Sequence, residues 1–300
     1  MRREADVKVA RAFAPGHVTG IFVPARSGPD PRRHGSIGAG VVLELGVHAT
    51  ATWREGGPTR LSVRSDIGGR LPISRDAALR LLGPRKGTLE VVLVHELPIG
   101  QGFGMSAAGA TATSLSVARV LGRPRQDATT AAHLADLRGG GGLGGVASIL
   151  GGGFEVRVRP GVPPFGRVVH AAFRYPIFLV RLGPPIPSPR LLSEPAFLER
   201  VRSAASPQLA SLTPAVDPGA FLEAAERFAD ALGLASPSVE RALRALRGPQ
   251  VRATQAMFGH SAFAVPLTAR GRRRLIATLE RRGWPSIEVH ASRTGARAFR

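Results

Sequence analysis

Residues 89 to 121 leave this chain little freedom in how it can fold. Leu89-Glu-Val-Val-Leu-Val-His-Glu96 is rich in β-branched and apolar residues and is stopped by Pro98, which predicts a strand. Ser106 to Leu121 is small, apolar and free of proline, and Gly122 and Pro124 close it, which predicts a buried helix. Between the two, glycine stands at alternate positions, Gly100, Gly102 and Gly104. Residues without a Cβ let the backbone bend sharply and come close to a ligand, and the free N–H groups of a following helix favour an anion. A phosphate is the natural occupant, and Ser106, in the first helical turn, can donate to it or hold a metal ion. Taken alone, the same pattern also describes a turn that only packs a strand against a helix.

Spacing removes several chemistries. A phosphate loop of the Gly-x-x-x-x-Gly-Lys-Ser/Thr type needs a lysine that is missing here. A hydrolase elbow needs Gly-x-Ser-x-Gly, whereas Gly104-Met-Ser106-Ala-Ala108 ends in alanine. A dinucleotide fingerprint would place a glycine where Ala107 stands, within a βαβ unit that the surrounding pattern lacks. With no cysteine, a disulfide scaffold, a thiolate zinc site, a cysteine nucleophile and an iron–sulfur cluster are all excluded.

The rest of the chain reads as mixed elements. Strands are predicted at Val7–Phe13, Ala39–Thr52, Phe154–Arg159 and Ile287–His290. A helix capped by Asp127 is expected to reach Leu137. Helices are predicted at Leu191–Ala205, Pro218–Leu232, Ser238–Leu246 and Thr268–Arg282. Regular βαβ alternation is absent, which favours α+β. The proline-rich stretch after Arg181 suggests a boundary, with one domain at 1–182 and a second at 183–300. No apolar run is long enough for a membrane span, and a soluble cytoplasmic protein is expected. The formal net charge is +20, yet all but two of the 41 basic residues are arginine, scattered along the chain. Aromatic content of 5% leaves few stacking platforms, so the charge weighs only weakly for nucleic acid, and a positive field attracts small anions equally well.

The segment Pro98–Ala110 resembles the phosphate-binding motif of the GHMP kinases, Pro-x-x-x-Gly-Leu-Gly-Ser-Ser-Ala-Ala. Further segments resemble the branch of archaeal pantoate kinases: Phe13-Ala-Pro-Gly-His17-Val-Thr-Gly20, the stretch from Asp30 to Gly40, Ala132-His133-Leu-Ala-Asp136, Gly142-Leu-Gly144, Gly152-Gly-Phe-Glu-Val-Arg157 and Met257-Phe-Gly-His-Ser-Ala-Phe263. The motifs keep their order over roughly residues 9–265. The resemblance implies a two-lobed α+β fold, with an N-terminal domain like domain 2 of ribosomal protein S5 and a ferredoxin-like C-terminal domain. It implies ATP- and Mg²⁺-dependent phosphorylation of the 4-hydroxyl of (R)-pantoate, on a route to coenzyme A. By the same resemblance ATP would contact Pro98, Gly100, Gly102, Gly104, Ser106 and Ala107. Ser106 and Asp136 would be the catalytic and Mg²⁺-holding residues. Pantoate would be held by Ser36, His133 and Arg157, the last able to grip a carboxylate with two prongs. A homodimer is compatible with this reading.

Each residue also has a plainer reading: Arg157 as one surface arginine of many, His133 as a core histidine, Ser36 as a turn residue, Asp136 as a helix-end charge. One departure stands out. The related kinases usually read Gly-Leu-Gly-Asp-Val where this chain has Gly142-Leu-Gly144-Gly145-Val146, so a candidate base is missing; its loss is expected to slow the reaction without abolishing it, and Asp136 or Glu155 could compensate. The alternatives are a degenerate member that binds nucleotide or pantoate with little catalysis, and a basic nucleic-acid-binding protein.

Overall fold

A computed structural model describes residues 7–141, 143–185, 194–209 and 217–299. Two long strands, β1 (Val7–Arg26) and β2 (His34–Glu55), form an antiparallel hairpin joined through a short 3₁₀ turn at Pro31–Arg33. Alternate residues Ala10, Ala12 and Ala14 face inward and are buried, whereas Val7 and Val9 face solvent, the period of a one-sided sheet. Next come β3 (Arg60–Ser65), α1 (Pro72–Leu82) and β4 (Gly87–His95), with β3 parallel to β4 and α1 as the crossover. The first sheet runs from β11 (Arg297–Phe299) through β1, β2 and β4 to β3, with β5 (Phe154–Arg159) pairing to β2 and β6 (Arg167–Ala171) to β5. Its last strand, β11, comes from the far end of the chain.

The predicted helix after the glycine loop is α2 (Met105–Val120), buried at nearly every position. A helix of Ala, Gly, Ser and Thr with few large side chains can lie in the middle of a domain, since its thin cylinder lets neighbours approach on all sides. It packs on β1 and β2 and is flanked by α1 and α3 (Arg125–Arg138). Asp127 is not the cap of α3. Pro124 takes that position, and Asp127 lies in the first turn, where its charge faces the positive helix end. A single turn, α4 (Gly145–Ser148), follows.

The second sheet is built from β7 (Ile177–Arg181), β8 (Val251–Gln255), β9 (Ser261–Pro266) and β10 (Ser286–Val289), in the antiparallel order β10-β7-β9-β8. Helices α5 (Pro195–Leu209), α6 (Pro218–Leu232) and α7 (Pro237–Leu246) lie between β7 and β8, and α8 (Ala269–Arg282) between β9 and β10. This is the ferredoxin-like β-α-β-β-α-β order. The division expected at 182/183 therefore does not coincide with the sheets, because β7 precedes it and β11 returns to the first sheet. Helix prediction at 191–205 falls partly outside the described residues; the helix runs from Pro195. Phe221 and Phe228 of α6 reach across to Phe154 and Phe22, so one apolar core joins α5 and α6 to the first sheet. Among the described residues no helix is long and apolar enough to cross a membrane.

Candidate active site

The glycine loop needs its glycines. Gly100, Gly102 and Gly104 have φ of 74°, 75° and 75°, a left-handed backbone that other residues rarely adopt. Space is equally short: a Cβ on Gly104 would lie 2.8 Å from the His17 amide nitrogen, and one on Gly102 would lie 2.6 Å from the Met257 carbonyl oxygen. Segment Met257–Ser261 of the second lobe thus closes directly on the loop, where Ser261 Oγ donates to the Gln101 carbonyl. Gly104 forms the entry to α2, and Pro98, Gly100, Gly102, Gly104 and Ser106 are all half-buried, while Ala107 is buried.

Ser106 Oγ donates to Asp136 Oδ1 at 3.5 Å. Asp136 is 3% exposed, and burial raises its carboxyl to about 6, a shift that the Ser106 hydrogen bond only partly opposes. Among the described residues no arginine, lysine or histidine is paired with it. A buried carboxylate beside a hydroxyl, without a cation, is a donor set suited to Mg²⁺, which takes one or two carboxylates and completes its shell with phosphate oxygens and water. His133 sits one turn before Asp136 on α3. Burial lowers its pKa, so it is neutral, and Nε2 donates to the Pro31 carbonyl at 3.2 Å. His133 thereby anchors the 3₁₀ turn that leads into Ser36.

Ser36 and Arg157 are both buried and bonded to each other, Arg157 Nε donating to Ser36 Oγ at 3.1 Å. Arg157 also donates from Nη1 to Ser148 Oγ (2.8 Å) and to Glu155 Oε1, and from Nη2 to the Ile21 carbonyl (3.1 Å). With Nε, both Nη1 protons and one Nη2 proton engaged, a single N–H remains. In this arrangement the two-pronged carboxylate grip expected of Arg157 is not open to it. Gly144 packs over the pair: a Cβ there would overlap Ser36 Oγ and lie 2.8 Å from Arg157 Nε. The next residue, Gly145, faces Ala107 of α2, where an added Cβ would fall 2.7 Å from the Ala107 Cβ. The Leu143–Gly145 turn therefore lies between the first turn of α2 and the Ser36–Arg157 pair. Leu143 and Phe258, the two non-glycine residues with positive φ among those described, both belong to segments that close on the site.

Sequence reasoning missed Ser148 and the partners of the loop at Gln101 and Ser261. It also gave no role to His17, although His17 and Glu155, 138 residues apart, are bonded in the core.

The two sheets, the second of them ferredoxin-like, and the glycine loop at the start of a buried helix define the GHMP kinase fold. In sequence the chain is similar to pantoate kinases. It is 36% identical over 182 residues to the pantoate kinase of Thermococcus kodakarensis, an alignment covering 58% of this chain and 60% of that one. It is 29% identical over 263 residues to that of Methanospirillum hungatei JF-1, covering 85% and 86%. A solved structure described as a phosphotransferase related to the coenzyme A biosynthesis pathway superposes with a TM-score of 0.86 at 27% identity, over 98% of this chain and 99% of that one. Homoserine kinase from Cytophaga hutchinsonii shares the fold, with a TM-score of 0.64 at 17% identity over 97% of both chains. No family model matches the sequence.

Proposed function

We propose that the protein transfers the γ-phosphoryl group of ATP to the primary 4-hydroxyl of (R)-pantoate in the cytoplasm, giving 4-phosphopantoate on a route to coenzyme A. One observation carries this reading. In a chain similar to pantoate kinases, the buried Ser36–Arg157 pair and the first turn of α2 flank the same Leu143–Gly145 turn. The loop from Pro98 to Gly104 and the first-turn amides of α2 cradle the phosphates. Ser106 and Asp136 hold Mg²⁺, which neutralises phosphate charge when bound. Ser36 and the remaining N–H of Arg157 receive the acceptor, with His133 fixing the turn beside them. Gly145 offers no carboxylate to take the hydroxyl proton. Phosphoryl transfer depends mainly on positioning and charge neutralisation, so this loss slows the reaction more than it prevents it; general-base help is worth ~10²–10⁴ in rate.

Gly145 also favours a second reading, a protein that binds nucleotide and pantoate with little turnover. Coupled ADP release with pantoate, mevalonate, homoserine and galactose separates the two. ADP formation dependent on pantoate supports the kinase. Release with another acceptor overturns the substrate, and binding of both ligands without release supports the second reading.

A further inference from the structure

Behind the Ser36–Arg157 pair lies a buried chain of polar groups whose purpose the phosphate loop and acceptor residues do not explain. Glu155 and Arg157 stand two apart on β5 and so point to the same face of the sheet. Glu155 is completely buried, its Oε1 accepts from Arg157 Nη1, and the same oxygen accepts from His17 Nε2 at 3.0 Å. The Thr19 hydroxyl lies 3.4 Å from His17 Nδ1. Burial is the largest influence on His17 and lowers its pKa, so the ring is neutral. An ionised carboxylate can only accept, which fixes the tautomer: Nε2 carries the proton to Glu155, and Nδ1 accepts from Thr19. Burial would by itself raise Glu155, but the Arg157 charge and the His17 hydrogen bond outweigh it and hold the carboxylate below its usual range.

His17 has a second attachment. It sits where the β1–β2 register shifts between Pro15 and His17, and its backbone N–H donates to the Phe103 carbonyl of the glycine loop at 3.0 Å. The ring lies against Gly40, where any Cβ would overlap it. One residue therefore touches the phosphate loop with its backbone and the Glu155–Arg157 pair with its side chain.

We infer that His17 and Glu155 are positioning residues for the acceptor: Glu155 fixes the plane of the Arg157 guanidinium, and His17 fixes Glu155, so that Ser36 and the one free Arg157 N–H are held in register with the phosphate loop. The inference rests on the kinase reading above. The role is geometric. A guanidinium is rigid and planar, and turning it about its stem would move the free N–H and the Ser36 hydroxyl together. Two donors meet the same Glu155 oxygen from two sides and fix its position, while Oε2 is buried without a partner among the described residues; either donor alone would leave Oε1 free to shift.

The test exploits the division between backbone and side chain at His17. His17→Leu removes the ring donor but keeps the amide that holds Phe103, so the acceptor and nucleotide subsites should respond differently. In steady-state ADP-release assays with full-length protein, His17→Leu is expected to raise the pantoate KM about tenfold or more and to move the ATP KM less than about twofold. His17→Gln, whose side-chain amide can replace the Nε2 donor, is expected to return the pantoate KM to within about threefold of wild type. A general loss of folding would instead raise neither KM selectively, and the conservative variant would not rescue it. Equal changes in both KM values, no change, or no rescue by Gln overturns the inference. Glu155→Gln, which keeps volume and an acceptor oxygen but loses the charge, must shift the pantoate KM in the same direction. If neither His17→Leu nor Glu155→Gln folds, the pair is a core ion-pair support and the positioning role is rejected. If the wild-type protein uses another acceptor, the kinase reading for pantoate fails first, and the same split is then measured on the acceptor it does use.

Discussion

A carboxylate buried without a cation beside it should cost the ligand-free protein stability, and Asp136 offers a direct measure of that cost. Its carboxyl is raised from 3.8 to about 6, chiefly by burial, with Ser106 the one side-chain donor to it among the described residues. Each pKa unit is worth about 1.4 kcal/mol, so keeping Asp136 ionised at neutral pH costs about 3 kcal/mol. The sign follows from the raised value. Folded protein holds this proton more tightly than unfolded protein, so the contribution is fully present below pH ~3.8 and is lost as pH rises through ~6. An asparagine in its place would have nearly the same shape, would still accept from Ser106, and would never ionise. In EDTA and without nucleotide, Asp136→Asn should therefore melt higher than wild type at pH 7.5. At about 2–4 °C per kcal/mol for a large domain, the gain is roughly 6–12 °C. At pH 4 the two proteins should melt nearly together. Adding Mg²⁺ and ATP should then narrow or reverse the difference at pH 7.5, since only the carboxylate gains by binding. Paired melts by circular dichroism at the two pH values decide the matter. Equal melting at pH 7.5, or a gap as large at pH 4, would refute the argument that burial of charge is the cause.

Two further substitutions probe the site. Restoring the carboxylate that related kinases carry, Gly145→Asp, meets no left-handed backbone, but its Cβ falls 2.7 Å from Ala107 Cβ. It should lower stability by about 1–3 kcal/mol and leave kcat flat, whereas Gly145→Asp combined with Ala107→Gly should recover the melt and raise kcat; a single variant that is both stable and faster contradicts the packing argument. Arg157→Lys loses Nε to Ser36 and the fixed fork that also reaches Ser148 and Ile21, so the pantoate KM should rise well above any change for ATP, with a lower melting temperature; unchanged pantoate KM in steady-state kinetics would remove Arg157 from the acceptor site.

What the sequence made legible was local. Alternate glycines before a run of Ala, Ser and Thr announce a loop and a thin buried helix, because conformational freedom and helix diameter are properties of neighbouring residues. The same holds for β5 and α6, whose bounds the structure reproduces. Less visible were elements whose signals are weak in isolation. β3 is half-exposed and α1 opens at Pro72 with no side-chain cap; both form because β4 and α2 are there to receive them. The boundary expected at 182 does not follow the sheets for a related reason: strand pairing decides which sheet a segment joins, and β7 pairs with strands about 80 to 110 residues further on. Functional legibility splits along the same line. Motif order singled out Ser106, Asp136 and Arg157, and the fold brings the first two within hydrogen-bond distance. The surroundings of Arg157 were not legible in the sequence. Its donors are claimed by Ser36, Ser148, Glu155 and a backbone carbonyl drawn from β1, β2, α4 and β5, and only the folded sheet counts them. A residue type gives the number of bonds a side chain can make; the fold decides how many are left for a substrate.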